Sequence, residues 1–475
     1  MKKLIRRPVS GYCFALLLAA GSFAGCKAND TAPPIPITPT TPTGSTPTPP
    51  QYGTPFAGVP NREDAVLYQV NMRAFSQAGN FAGVMARLDS IKAIGVNVLY
   101  LMPIHPVGTD SRSVNSPYAV KDYRAVGPEF GTLADLRTLV DGAHARGLTV
   151  VLDWVANHTS WDHAWIAQHP DWYLRNATGT ILSPPGTPYA DVAQLDFSSA
   201  PMRAEMISAM KSWVFTANVD GFRCDYADAP TIAATNFWKQ AVDTLRTVRT
   251  HKLLLLAEGT RSTHFTAGFD YTFGFNFYGG IRSVYRSGAP ATVFDALNTS
   301  EYAGATGTQQ VVRYTSNHDV NGSDGTPVTQ FGGNAGAMSA FVVASCYKGI
   351  PLVYNGQEAG MTAAIPFPFT SVKVSWGARP DVTRAYKQLL AARAASAALR
   401  HGTPTAYSTA NVCAFTKTAG TEQALVLANV RNAATTYPVP AAFANTTWTN
   451  ALLGGSVNVG TQVSLPAYGY LVLKK

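Results

Sequence analysis

The chain of 475 residues is 46% hydrophobic and 14% charged, with no long run of one charge, so it reads as a folded protein of two or three domains and not as a disordered one. Of its 37 basic residues, Lys2, Lys3, Arg6 and Arg7 fall within the first 25 positions, which hold no acid; the remaining 33 against 28 acids leave +5 in place of +9. Spread over so long a chain, that excess gives no reason to expect a nucleic-acid partner.

At the N-terminus, MKKLIRRPVSGYCFALLLAAGSFAGC combines a basic start, a short apolar run and small residues ahead of Cys26. This is the layout of an export signal, and its apolar run is too short to span a bilayer comfortably. The ending FAGC resembles a bacterial lipobox, in which the cysteine becomes the lipidated first residue, although Phe23 stands where leucine is usual. The expectation is a signal over 1–25 and an exported protein anchored through Cys26 to the outer membrane, on its periplasmic or surface face. An ordinary secretory signal would leave it secreted. Residues 26–60, dominated by Pro and Thr, should form an extended tether. Cys224, Cys346 and Cys413 are scattered in apolar contexts, which fits buried thiols better than a disulfide framework or a zinc site.

From Ala65 onward, β-rich runs occupy 65–70, 96–101, 149–154, 219–224, 253–258, 269–275, 311–316 and 350–354. Helical patterns such as 132–146 and 204–215 separate most of them. Near-continuous apolar strands with helical crossovers mean a parallel sheet covered by helices. Eight of them favour an α/β fold, a closed (β/α)8 TIM barrel built from 61–157 with 198–400. An irregular insertion, 158–197, follows the third strand; a loop of that length in a compact domain is usually functional. After a helical run at 384–399, short alternating strands such as 424–430 and 468–474 predict a separate C-terminal antiparallel β-sandwich domain over 401–475.

Barrels of this kind build their sites at the C-terminal ends of the strands. Those ends offer Asp153 with Asn157 and His158, Arg223 with Asp225, Glu258, and His318 with Asp319. Arg223 and Asp225, two apart on a strand, share a face. Four carboxylates from four strands would meet at one mouth, and paired carboxylates with divided roles are what glycoside cleavage requires. The neighbouring cation should hold Asp225 ionised, whereas Glu258, following LLLLA with no basic neighbour, should sit against an apolar wall that raises its pKa. Each residue also has a plainer reading, as a turn cap, a buried ion pair or a core histidine.

DWVANH (153–158), GFRCD (221–225), AEGT (257–260) and SNHD (316–319) resemble the four signature regions of the α-amylase family of glycoside hydrolases, family 13, in the family's order. YQVNMRAF (68–75), SPYAVKDY (116–123) and GIPLVYNGQE (349–358) are similar to further family segments. The resemblance implies Asp225 as nucleophile, Glu258 as general acid/base and Asp319 as a third, transition-state-stabilising carboxylate. It further implies that Arg223 positions the nucleophile, that His158 and His318 bond sugar hydroxyls, that Tyr118 is an aromatic platform and that Asp153 supports the network. Configuration would be retained, with the two reacting carboxyl groups roughly 5–5.5 Å apart.

No cofactor is implied for the chemistry. Family members with a structural Ca²⁺ carry Lys-His three and four places after the nucleophile, where this chain has Asp228 and Ala229. An aspartate ligand position in the insertion is matched by Gln194, while Asn157, another ligand position, is kept. Calcium at that place is therefore not expected, though Asp191 and Asp196 leave another oxygen site open. Trp161, Trp165, Trp172 and Tyr173 of the insertion suit either sugar stacking or a small core. The resulting expectation is a retaining hydrolase of α-1,4-glucans or maltooligosaccharides. An α-glucosidase, a transglycosylase and a non-catalytic glucan-binding lipoprotein are the alternatives.

Overall fold

A computed structural model describes residues 48–475. The expected signal, Cys26 and the tether as far as residue 47 lie outside the described residues. The end of the Pro/Thr segment is no free tether. Tyr52 donates to Asp141 Oδ2 at 2.6 Å, Phe56 stacks on His144 at 4.3 Å and Val59 is buried. Two aromatic rings and a valine supply the apolar contact that the surrounding Pro and Thr cannot.

Eight parallel strands close into a barrel: β1 (Leu67–Val70), β2 (Val98–Leu101), β3 (Thr149–Trp154), β4 (Gly221–Cys224), β5 (Leu254–Ala257), β6 (Tyr271–Phe273), β7 (Gln310–Tyr314) and β8 (Ile350–Tyr354). They run round the ring in chain order, and β8 closes on β1 through Leu67↔Leu352. Every residue of β1, β2, β3 and β5 is buried, because the barrel interior covers one face and the helices the other. This is why the strands read as unbroken apolar runs.

The crossover helices begin where their sequences cap them. Thr132 and Asp135 form a reciprocal capping box ahead of Leu133–His144, and Ser199 caps Ala200–Ala217, which ends at Asn218 in the left-handed region. Gly221 opens β4 at φ +152°, and a Cβ there would lie 1.9 Å from Leu254 O. Only glycine lets β4 and β5 approach so closely, and that approach sets Arg223 beside the end of β5.

Six antiparallel strands between Thr403 and Lys474 form one sheet, and Thr435–Pro438 pairs with Gln462–Leu465 in a second. Tyr437 and Leu465 of the small sheet share a core with Leu425, Leu427 and Leu473 of the large one. Arg431 fastens this region to the barrel helices: its guanidinium donates to the carbonyls of Val284, Ala289 and Ala410, each at 2.7 Å. No helix among the described residues is long and apolar enough to cross a membrane.

Candidate active site

Asp153 on β3 and Arg223 on β4 are direct cross-strand partners, and both point into the barrel mouth. Arg223, 1% exposed, donates through Nη1 to Asp153 Oδ1 at 2.7 Å and to Asp225 Oδ1 at 3.0 Å, and through Nη2 to Glu258 Oε1. One guanidinium thus joins three carboxylates from three strand ends. Asp153 also accepts from Tyr100 at 2.8 Å and from Tyr118 at 3.1 Å. Asp319 stands apart, exposed at the start of the helix His318–Asp324, which Asn317 caps.

Two features hold Glu258 in place. Tyr226 has φ +43°, and this turn aims its backbone N–H at Glu258 Oε2, 2.8 Å away. Asp228 then grips the loop after β5 through Thr260 N at 2.9 Å and the helix that follows it, Thr263–Ala267, through His264 Nε2 at 2.6 Å.

The sequence-based expectation for Asp225 is reversed. Burial raises its pKa well above the usual carboxylate range; Arg223 pulls it down, but the charges of Glu258, Asp153 and Asp319 push it up again. Burial likewise raises Asp153 against the opposing pull of Arg223. Glu258, expected to lie against an apolar wall without a basic partner, is instead bonded to Arg223, because the guanidinium reaches across from β4 to β5. Three acids share a single cation here, with the charge of Asp319 acting from outside, so Asp225 and Asp153 keep their protons to higher pH than isolated carboxyls would.

Burial, reinforced by Arg223, lowers the pKa of His318 to about 4, so the ring is neutral at neutral pH. With Gln69 Nε2 donating to Nδ1 at 2.8 Å, the ring proton sits on Nε2 and goes to the Tyr118 hydroxyl at 2.6 Å. Tyr118 passes its own proton towards Asp153, so a directional chain runs from β1 to β3. Burial also lowers His158 to about 4.

These groups floor a cavity of ≈ 610 Å³. The structure brings Tyr118, His158, Asp225, Glu258, His318 and Asp319 onto its wall, while Asp153 and Arg223 lie just behind them. Among the described residues four large apolar side chains are exposed, and three of them, Val114 (54%), Tyr189 (50%) and Phe367 (51%), rim this cavity on three separate loops. Phe369 and Tyr226 also line it. Sequence reasoning missed these rings and the supporting Gln69 and Tyr100. Loops carry no periodicity to flag a rim, whereas Gln69, a polar residue inside an apolar strand run, was a usable signal.

The four insertion aromatics line none of that cavity. Trp172 and Tyr173 are buried, Trp165 packs edge-on to Trp172 at 5.1 Å, and Trp161 is covered by the Arg112 guanidinium at 4.0 Å. They pack the insertion onto the barrel's own core, Trp165 also meeting Tyr123 at 5.4 Å, and are not a stacking surface in the cavity.

The residues at the expected calcium position do not fit that ion. Ca²⁺ takes six to eight oxygens at about 2.3–2.6 Å. Here the Gln194 amide nitrogen lies among the oxygens instead, and Asn157 Oδ1 accepts from both Gln194 and Thr231. Asp196 is used on the backbone of Ser198, and no group of three or more His, Cys, Asp or Glu side chains suited to a metal occurs among the described residues.

Residues 43–178 match the family model of the alpha-amylase catalytic domain, the family that the four sequence motifs resemble. The chain is 27% identical over 312 residues to alpha-amylase MalA of Haloarcula japonica, covering 63% of this chain and 44% of that protein. It is 30% identical over 313 residues to the alpha-1,4-glucan:maltose-1-phosphate maltosyltransferase of Rhodospirillum rubrum, covering 61% and 43% respectively. The chain thus spans less than half the length of these curated relatives. Among solved structures, an alpha-amylase from Lactobacillus plantarum superposes with a TM-score of 0.74 at 26% identity, over 87% of this chain and 99% of that one.

Proposed function

We propose that this chain is a retaining α-glucan hydrolase of the alpha-amylase family, acting on α-1,4 links of starch or maltooligosaccharides. The observation that carries the reading is Arg223, behind the wall of one cavity, joined to Asp153 and to the cavity-lining Asp225 and Glu258. Asp225 attacks the anomeric carbon as Glu258 gives its proton to the leaving oxygen, and Glu258 then takes a proton from the water that releases the sugar. Asp319, the exposed carboxylate, faces the positive charge that develops on the ring. Asp225 and Glu258 bond neighbouring nitrogens of one guanidinium, a closeness that favours the short separation of retaining enzymes, about 5–5.5 Å, over the roughly 6.5–9.5 Å of inverting ones.

Asp225 and Asp153, both raised by burial, compete for one arginine, and attack requires the form in which Asp225 is the ionised one. A sugar displacing water from the cavity strengthens that competition. Tyr118, His158 and His318 line the wall on which the sugar would lie. Proton NMR of products from the mature domain and maltoheptaose should show the α-anomer forming first. Release of the β-anomer would overturn retention, and no release from any glucan would favour a binding protein.

A second reading, transglycosylation or exo-acting α-glucosidase action at the same carboxylates, draws on the apolar rim. Tyr189 and Phe367 could hold an acceptor sugar and keep water out. Products longer than the substrate from maltotriose would favour transfer, and glucose as the first product would favour exo action.

Export and a lipid anchor at Cys26 belong to the same proposal and rest on the first 26 residues. Replacing Cys26 with Ser should move the protein from the membrane fraction to the soluble one.

A further inference from the structure

Asn157, at the end of the segment after β3, and Gln194, in the insertion, are each 1% exposed and face one another across the short antiparallel pairing of His158–Thr159 with Ala193–Gln194. Their amides bond reciprocally: Asn157 Nδ2 donates to Gln194 Oε1 at 3.1 Å, and Gln194 Nε2 donates to Asn157 Oδ1 at 3.1 Å. The same Gln194 nitrogen also lies 2.9 Å from Asn157 O, 2.8 Å from Leu195 O and 3.2 Å from Thr231 Oγ1.

A primary amide has two hydrogens, yet this one sits among four oxygens. Such a surplus of acceptors is a cage shaped for a positive centre, and the nitrogen with its partial positive charge takes that place. The oxygens come from three parts of the chain: Asn157 from the barrel, Leu195 from the insertion and Thr231 from the short helix Pro230–Ala233 that follows β4. Asn157 Nδ2 in turn reaches His158 Nδ1 at 3.3 Å, and His158 lines the catalytic cavity.

We propose that the Gln194 amide replaces a cation as the fastener between insertion and barrel, and through Asn157 positions His158, so that the site is assembled without metal. Gln194 touches neither cavity nor substrate and acts only through its neighbours.

The test is the thermal midpoint of the mature protein, measured without substrate in Ca²⁺ and in EDTA. The wild type should melt at the same temperature in both. Gln194→Ala should melt lower by an equal amount in both, because neither buffer restores the missing nitrogen. Gln194→Asp should fall in EDTA and recover in Ca²⁺, since a carboxylate turns the cage into a cation site; its KM for maltoheptaose should recover with it. A wild-type midpoint that drops in EDTA and returns with Ca²⁺ would overturn the proposal, as would a Gln194→Ala midpoint equal to wild type or a Gln194→Asp protein indifferent to Ca²⁺. If Gln194→Asp does not fold, the wild-type and Ala arms still decide. No arm on the midpoint depends on hydrolysis, so a failure here is separate from a failure of the hydrolase reading.

Discussion

Two buried arginines of this barrel keep opposite company. Arg313 on β7 donates to one carboxylate, Glu301, to the Asn298 amide at 3.0 Å and to the Lys348 carbonyl at 3.0 Å. Its charge is matched by a single acid, and each of its nitrogens has a partner. Arg223 on β4 meets three carboxylates at once, and its Nε has no partner. The first arrangement is balanced and holds the barrel to its helices. The second is overloaded with negative charge, a state a protein retains where the excess is used.

The sharpest way to break this contrast is to remove one acid from each arginine. Glu258→Gln should lower kcat by about a hundred- to ten-thousand-fold or more while leaving maltooligosaccharide binding measurable by calorimetry. Near-normal turnover would remove Glu258 from the chemistry. The matching change at the balanced site, Glu301→Ala, should leave kcat of the folded protein close to wild type. It should cost about 3–5 kcal/mol in denaturant melts, because it strands a buried cation.

A subtler effect has the opposite sign. The folded-state pKa of Asp225 is raised, so the stability this group contributes is fully present below the ordinary carboxylate range and is lost as pH rises through the raised value. Asp225→Asn escapes that loss. It should therefore be inactive yet more stable than wild type at neutral pH, by on the order of 1 kcal/mol, with the gain shrinking towards pH 4. A variant less stable at every pH would mean that Arg223 outweighs the crowding. At the rim, Phe367→Ala should raise KM for maltoheptaose several-fold, roughly 1 kcal/mol of lost ring contact, with kcat little changed. An unaltered KM would place the sugar elsewhere.

The same contrast marks what could be read in advance. All eight strands and the convergence of Asp153, Arg223, Asp225 and Glu258 were legible, because apolar runs and their polar ends obey a short period. Charge states were not. The i, i+2 spacing pairs Arg223 with Asp225 alone, whereas Asp153 and Glu258 reach the same guanidinium from neighbouring strands, whose register no single strand declares. Likewise Gln194 could be noted as a departure from a ligand, but not as a nitrogen among four oxygens, since those oxygens come from segments far apart in sequence. The rim rings Tyr189 and Phe367 sit in Pro-rich loops, where no period exists to orient a side chain.

The Arg431 fastening has a calorimetric consequence. Its guanidinium closes carbonyls of the barrel helices and of the C-terminal region together, and towards the other end of the same strand pair Lys417 reaches the barrel side by donating to Tyr347 O at 3.1 Å and Leu399 O at 2.5 Å. Separating the two parts would strand buried donors and acceptors on both sides before either core had melted. The two should therefore give one heat-absorption peak on scanning, and the C-terminal sheets would not serve as an exchangeable module: a barrel cut off near residue 402 would lose the partners that let it stay folded.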